Sequence, residues 1–241
     1  MRIAVVSDIH GNLPALFAVV ADFRRRGVDQ VVNLGDSLSG PLCPKETAQY
    51  LMAQDWVQLA GNHERQVLNL NANSGASDRY AHAQLSGLEF AWMASLPSVR
   101  PFPFDDEVLL CHGTPTSDCT YLLQTADRSA TAAEIESRLG PVKASLVLCG
   151  HAHVPRSVRS HGTLIVNPGS VGQPAFDDDQ PYPHAVETGS PDARYAIVEK
   201  HNGAWLATLI TVPYPHQEMA ALARLRNRPD WESALLTGYM K

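Results

Sequence analysis

Ile3 to Val6 is an unbroken apolar run, the pattern of a strand buried on both faces. Beyond it, Leu13, Leu16, Phe17, Val20 and Phe23 recur at helical spacing. Asn12 is placed to cap that helix, and Pro14 is tolerated in its first turn. Arg24, Arg25 and Arg26 suit the negative end of the helix dipole, and Gly27 stops it. Apolar positions over 30–34 predict a second strand. The resulting β-α-β unit implies parallel strands and a right-handed crossover. Further along, the pattern predicts a helix over 45–53, a strand over 56–59, a helical stretch over 64–95 broken near 71–75, a strand over 108–111, a helix over 131–139 and a strand over 144–149.

After Val154 the periodicity changes. Strands are predicted over 157–159, 163–166, 194–199 and 204–212, with turns at His161-Gly162 and Asn202-Gly203. Residues 177–192, rich in Asp, Pro and Gly, read as a mobile loop, and a helix over 216–226 leads into a tail. An α/β front half and an antiparallel back half imply an α/β fold of the α+β type. The expected architecture is a four-layer α-β-β-α sandwich, two stacked mixed sheets flanked by helices. One domain is expected over 1–241, its motif-bearing core over 1–172 and its C-terminal strands and helix over 193–241.

The chain has 241 residues and a formal net charge of −6. That length buries a sizeable core without disulfides. The acidic balance argues against a stable nucleic-acid complex. Cys43, Cys111, Cys119 and Cys149 form no CxxC pair and read as reduced core thiols. The apolar start is interrupted by Asp8 and His10, too early for a leader or a membrane span. A soluble, cytoplasmic protein without membrane association is expected.

The chemistry gathers at the ends of predicted strands. Asp8 and His10 follow the first, Asp36 the second, Asn62 and His63 the third, His112 the fourth, and His151 and His153 the fifth. Ligands of open α/β sheets bind beyond the carboxyl ends of strands. Asp8 and His10 are one residue apart, so an extended segment directs both the same way, and His151 and His153 repeat the spacing. Gly35, Gly61, Gly113 and Gly150 let the chain turn beside the site. A mixed His, Asp and Asn set favours Mn, Fe, Co, Ni or Zn over Ca. Two divalent ions against two Asp carboxylates keep a positive surplus that attracts phosphate.

Asp8-Ile9-His10, Gly35-Asp36, Gly61-Asn62-His63-Glu64, His112-Gly113 and Gly150-His151-Ala152-His153, in that order, resemble the calcineurin-like metallophosphoesterases. Asn167-Pro168-Gly169-Ser170-Val171-Gly172 is similar to the segment that follows in their compact bacterial and archaeal phosphodiesterase branch. The resemblance implies two divalent transition-metal ions, Mn foremost. One is held by Asp8, His10, Asp36 and His153; the other by Asp36, Asn62, His112 and His151, with Asp36 bridging. A metal-bridging hydroxide attacks phosphorus. His63 faces the substrate and protonates the leaving oxygen or stabilises the charged phosphorus centre. Asn167 and Ser170 are candidate substrate contacts, although Asn-Pro-Gly-Ser is equally an ordinary turn.

The chain departs from the protein Ser/Thr phosphatases of that superfamily. It lacks the arginine of their Gly-Asp-x-x-Asp-Arg-Gly segment, and Ala60 stands where they carry the arginine before Gly-Asn-His-Glu. The expected partner is therefore a small phosphodiester or phosphomonoester rather than a phosphoprotein. A dinucleoside polyphosphate or nucleotide pyrophosphate hydrolase is the alternative, and an inactive metal-binding scaffold a third reading. Residues 68–96 and 177–192, lying between motifs, are the expected substrate-shaping segments.

Overall fold

The computed structural model describes residues 1–241. Strand β1 (Arg2–Val6) is the centre of a five-stranded sheet in the order β12-β11-β1-β2-β3. Strands β2 (Gln30–Asn33) and β3 (Val57–Gln58) run parallel to it, β11 (Ala193–His201) lies antiparallel on its other side, and β12 (Ala204–Val212) pairs antiparallel with β11. The second sheet has the order β4-β5-β6-β8-β7. Its middle strands β5 (Asp105–Cys111), β6 (Leu146–Leu148) and β8 (Thr163–Asn167) are parallel; β4 (Val99–Phe102) and β7 (Arg156–Ser160) are antiparallel edges.

Alternation along the strands decides which side chains meet. Ile3, Val5, Val32 and Leu34 of the first sheet pack against Val108, Leu110, Leu148 and Val166 of the second, with Trp205 closing one side. Ala4 and Val6 point the other way, onto α1 (Leu13–Arg26), α7 (His216–Leu225) and α8 (Pro229–Thr237). Helix α6 (Ala132–Leu139) covers the outer face of the second sheet through Ile135. The expected four-layer sandwich of two mixed sheets is thus the observed fold. A satellite core of Leu38, Ala48, Val67, Ala81 and Met93 joins α2 (Pro44–Met52), α3 (Asn62–Leu68), α4 (Ala76–Gln84) and α5 (Gly87–Ser95) beside the first sheet.

Local signals that name a physical cause hold. The Asn12 side chain accepts from the Ala15 amide at 3.3 Å and caps α1. His161-Gly162 and Asn202-Gly203 turn with positive φ at both residues, as two-residue hairpins require. Three regions differ from the sequence reading. Residues 177–192 are not a bare loop: β9 (Ala175–Asp178) and β10 (His184–Glu187) form a separate antiparallel ribbon whose polar sequence conceals it. The tail contains α8, entered by Pro229, left by Gly238 at φ 74°, and buried through Trp231, Ala234 and Leu235. Strand β4 escaped because Pro101 interrupts it; proline is tolerated there because the strand is an edge, and the ladder shifts register beside it.

Candidate metal centre

The loops that leave β1, β2 and β3 in one sheet, and β5 and β6 in the other, meet at one end of the sandwich. Their backbones are laced together past the last ladder bond. The Asp8 amide donates to the Gly35 carbonyl at 3.0 Å, the His10 amide to the Asp36 carbonyl at 3.0 Å, and the Gly150 amide to the His112 carbonyl at 2.6 Å.

The segments are not extended, contrary to the expectation for Asp8-x-His10 and His151-x-His153. Asp8, His10, Asp36, His151 and His153 all have left-handed φ, between 52° and 66°. Such a conformation costs a non-glycine residue of order 1–3 kcal/mol where the surroundings impose it, less for Asp and His than for branched side chains. The chain here curls, and each curl returns the side chain towards a common point. The glycines serve a different purpose from the one expected. Only Gly35 of the four has a positive φ, of 103°. Gly61 is required for space, because a Cβ there would lie 2.2 Å from Asp36 Oδ1.

Two groups of ligand atoms result. Those of Asp8, His10 and His153 lie within 4.8 Å of one another, and so do those of Asp36, His112 and His151. The groups adjoin: His112 Nε2 is 3.0 Å from Asp36 Oδ2 and 3.9 Å from Asp8 Oδ1. All the predicted ligands are buried except His151, which is partly exposed to the cleft.

Hydrogen bonds behind the rings decide which nitrogen each histidine presents. His10 Nδ1 is 2.7 Å from the Ser39 carbonyl, His112 Nδ1 2.9 Å from that of Leu34, and His153 Nδ1 2.8 Å from that of Gln173. A carbonyl only accepts, so each Nδ1 carries a proton, and in the neutral ring Nε2 turns a lone pair inward. His10 Nε2 and His153 Nε2 then face each other at 3.2 Å. Two lone pairs repel at that distance, whereas two nitrogens bound to one ion at about 2.0–2.1 Å would sit roughly that far apart. Asp8 Oδ1, Asn62 Oδ1 and His112 Nε2 are buried without a hydrogen-bond partner. Buried polar atoms are costly when unsatisfied; Asp8 and His112 belong to the two groups, and Asn62 lines the same cleft. The donor set therefore fits a pair of transition-metal ions.

Burial and neighbouring charges pull the histidines of the centre in both directions. Burial, with repulsion from His153 and His63, pushes His10 down to about 3. Burial and His112 push His151 down to about 4. Both are neutral ligands in waiting. Burial works against the charges of Asp8 and Asp36, but the neighbouring histidines hold both carboxyls below their ordinary range. Burial likewise opposes the charged form of His112, yet the Asp36 carboxylate outweighs it and raises that ring to about 10, so a bound cation would have to displace its Nε2 proton.

Two carboxylates that organise the centre had not been assigned a role from sequence. Glu64 is buried and accepts from three backbone amides, those of Asp36 at 2.8 Å, Ser37 at 2.7 Å and Gly61 at 2.7 Å, fixing the loops after β2 and β3 together. Its place in Gly-Asn-His-Glu was the available signal. Asp78, on α4, accepts from His63 Nδ1 at 2.7 Å and from Ser39 Oγ at 2.7 Å. Nothing in the sequence spacing linked Asp78 to His63. Burial opposes the charge on His63, but Asp36 and Asp78 raise it to about 9. The His63 amide also donates to Asp36 Oδ1 at 2.8 Å, which leaves Asp36 Oδ2 facing the groups.

Asn167 and Ser170 are not at the cleft. Asn167 Nδ2 donates to the Gly150 carbonyl at 2.6 Å and its Oδ1 accepts from Gly169 at 2.9 Å. Ser170 Oγ donates to the Asp8 carbonyl at 2.8 Å and accepts from Gln173 at 2.8 Å. Both are buried with their polar atoms already engaged, so they brace the ligand loops from behind instead of touching substrate. His63 does face the cleft, a space of about 910 Å³. The segment before α4 and the acidic end of β9 form parts of its rim, as expected of the inserted segments. No helix is long and apolar enough to cross a membrane. All four cysteines are free; Cys119 is exposed, unlike the buried Cys111 and Cys149.

Comparison with known proteins agrees with this geometry. The chain is 25% identical over 194 residues to an uncharacterized protein of Methanocaldococcus jannaschii, covering 71% of this chain and 76% of that one. A metallophosphoesterase from Sphaerobacter thermophilus superposes with a TM-score of 0.78 at 26% identity, covering 99% of this chain and all of the other. A hypothetical protein of Pyrococcus horikoshii OT3 shares the fold with a TM-score of 0.81 at 16% identity, over 100% and 99% of the two chains. The sequence model of the calcineurin-like phosphoesterase superfamily domain matches residues 1–188. On that match and on the metal-ligand groups the fold assembles, the chain belongs to the calcineurin-like phosphoesterase superfamily.

Proposed function

We propose that the protein is a two-metal phosphoesterase that hydrolyses a small phosphodiester or phosphomonoester. The carrying observation is the pair of ligand groups, with Asp8 Oδ1 and His112 Nε2 unpartnered within them and Asn62 Oδ1 unpartnered in the same cleft wall. Asp8, His10, Asp36 and His153 would hold one ion; Asp36, Asn62, His112 and His151 the other, with Asp36 shared. The mixed nitrogen and oxygen donor set suits a first-row transition metal; the family resemblance puts Mn first, with Fe, Co, Ni or Zn as alternatives. Such ions, when bound, neutralise phosphoryl charge and activate water as the nucleophile.

The chain's own residues do the rest. The Nδ1 bonds of His10, His112 and His153 hold their rings in place before substrate arrives. His63, anchored on Asp78, presents Nε2 to the cleft, where it donates a proton to the departing oxygen.

The test is hydrolysis by protein first stripped with a chelator and then supplied with Mn. Aryl phosphodiesters, aryl phosphomonoesters, a dinucleoside polyphosphate and a phosphoserine peptide should be compared. Mn-dependent turnover of an aryl phosphodiester at least as fast as the phosphopeptide is expected. Undiminished activity in the stripped protein would refute the metal reading. Preference for the phosphopeptide would refute the substrate class, and preference for the dinucleoside polyphosphate would favour the nucleotide alternative.

A further inference from the structure

The family match ends at residue 188, but the cleft does not. Helix α8 and the residue before it close one side of it with Arg228, Asp230 and Trp231. Trp231 is buried, with its ring 6.1 Å from that of His10. Arg228 lies over Trp231 at 5.9 Å. Its Nε donates to Asp230 Oδ1 at 3.0 Å, its Nη2 to Asp230 Oδ2 at 2.6 Å, and its Nη1 to Ser77 Oγ at 2.9 Å. Ser77 adjoins Asp78, the partner of His63. The guanidinium is thus fixed from two elements, one of its bonds going to the chain neighbour of Asp78.

A guanidinium has five N–H donors. Those bonds engage one on each nitrogen, so one N–H on each of Nη1 and Nη2 has no protein partner. Arg228 nonetheless has a side-chain exposure of only 20%. A cation this firmly held, with a free donor edge, has already lost most of the conformational freedom that binding would otherwise remove. Arg65, the other arginine at the cleft, is paired with Asp118 as Arg228 is with Asp230, but its side chain is 54% exposed, so it is less firmly held. The rim also carries Asp177, Asp178 and Asp179. Those carboxylates disfavour a loosely placed anion, so an anionic substituent is accepted only against a specific cation.

The structure assigns Arg228 as the residue that recognises a second anionic group, phosphate or carboxylate, on the part of the substrate remote from the scissile phosphorus; this rests on the phosphoesterase reading above. The cleft, about 910 Å³ and lined mostly by polar residues, has room for more than one phosphoryl group. The substrate class is accordingly a polar phosphoester bearing a second negative charge. The arginine missing from the segments around Asp36 and Asn62 is replaced, on this account, by one from the C-terminal helix region.

The experiment uses Mn-loaded full-length protein and three 4-nitrophenyl alkyl phosphodiesters whose alkyl arm ends in a phosphate, a carboxylate or a hydroxyl. The readout is the ratio of kcat/KM for each anionic arm to that for the hydroxyl arm, in which effects on shared machinery cancel. For the unaltered protein at least one anionic arm is expected to be favoured by roughly ten- to hundredfold, the span of a charge-assisted hydrogen bond. Which of the two is favoured identifies the group. Arg228→Gln should reduce that ratio about tenfold or more, Arg228→Lys should retain part of it, and Arg65→Gln should keep it. If Arg228→Gln fails to fold, the Lys variant carries the test, since an ammonium cannot reproduce the fork. Equal rates for all three arms, or a preference that survives both Arg228 substitutions, overturn the assignment alone. Absence of Mn-dependent turnover of every ester overturns the phosphoesterase reading and this inference with it.

Discussion

His63 is held at two points: its amide donates to Asp36 Oδ1, and its ring donates to Asp78 Oδ1. This arrangement aims Nε2 rather than Nδ1 at the cleft. His63→Ala should keep the metals and lose about 10²–10⁴ in rate on an ester with an alkoxide leaving group, the usual span for general acid catalysis. A nitrophenyl ester should lose less, because nitrophenolate departs without a proton. Asp78→Asn should show the same dependence on leaving group with a smaller loss, because Asp78 acts through His63. Metal content measured beside the two rates checks both. Equal losses on both esters would instead make His63 an electrostatic stabiliser, and loss of metal from His63→Ala would make it a ligand.

At the level of elements, the first helix is tied to the first sheet by one buried carboxylate. Asp22 of α1 accepts from Tyr195 Oη of β11 at 2.7 Å and from Arg25 and Arg26 at 2.7 and 2.6 Å. Burial opposes its charge, but those donors outweigh it and hold the carboxyl below its ordinary value. A depressed carboxyl stabilises the fold above its unfolded value, near pH 4, and the contribution is lost as pH falls through the folded value. Tyr195→Phe should therefore cost about 1.5–3 kcal/mol at pH 7, the span for a hydrogen bond to a charged group. The difference from the unaltered protein should narrow on acidification below pH 4. Urea unfolding at pH 7 and pH 3 measures this; a difference independent of pH would mean that the tyrosine contributes packing alone.

For the whole molecule, the centre sets a stability cost as well as a chemistry. Asp8 and Asp36 are buried within the same centre, with the partnerless Asp8 Oδ1, Asn62 Oδ1 and His112 Nε2 between the loops of both sheets. A cation that binds the folded chain should therefore clamp the two sheets together at that end. At a hundredfold excess over its dissociation constant, one ion stabilises by about 2.7 kcal/mol, or roughly 5–10 °C in Tm for a domain of this size. Mn should raise the melting temperature of chelator-treated protein by that order, and Asp36→Asn should reduce the rise. A melting temperature unmoved by Mn, Co and Zn would mean that the two groups do not bind ions.

Much of this was local and so readable along the chain. Strand ends, the Asn12 cap and the two hairpin turns depend on neighbours within a few residues, and hydrophobic period reports which face is buried. The motif histidines and aspartates stood out because several predicted strand ends carried ligand types together. Other features depended on residues far apart in sequence. Left-handed φ at Asp8, His10, Asp36, His151 and His153 is imposed by lacing between loops, and no periodicity registers it. Asn167 and Ser170 looked like substrate contacts until tertiary bonds to Gly150 and Asp8 turned them inward. Asp78 meets His63 across 15 positions, and Arg228 meets Ser77 across 151. The sequence alone determined the layered fold and the ligand types, because burial period and side-chain chemistry are written locally. Only the folded chain decided which nitrogen each histidine presents, which carboxylates brace the loops, and which arginine reaches the cleft, because each of those is a contact between segments that the chain order keeps apart.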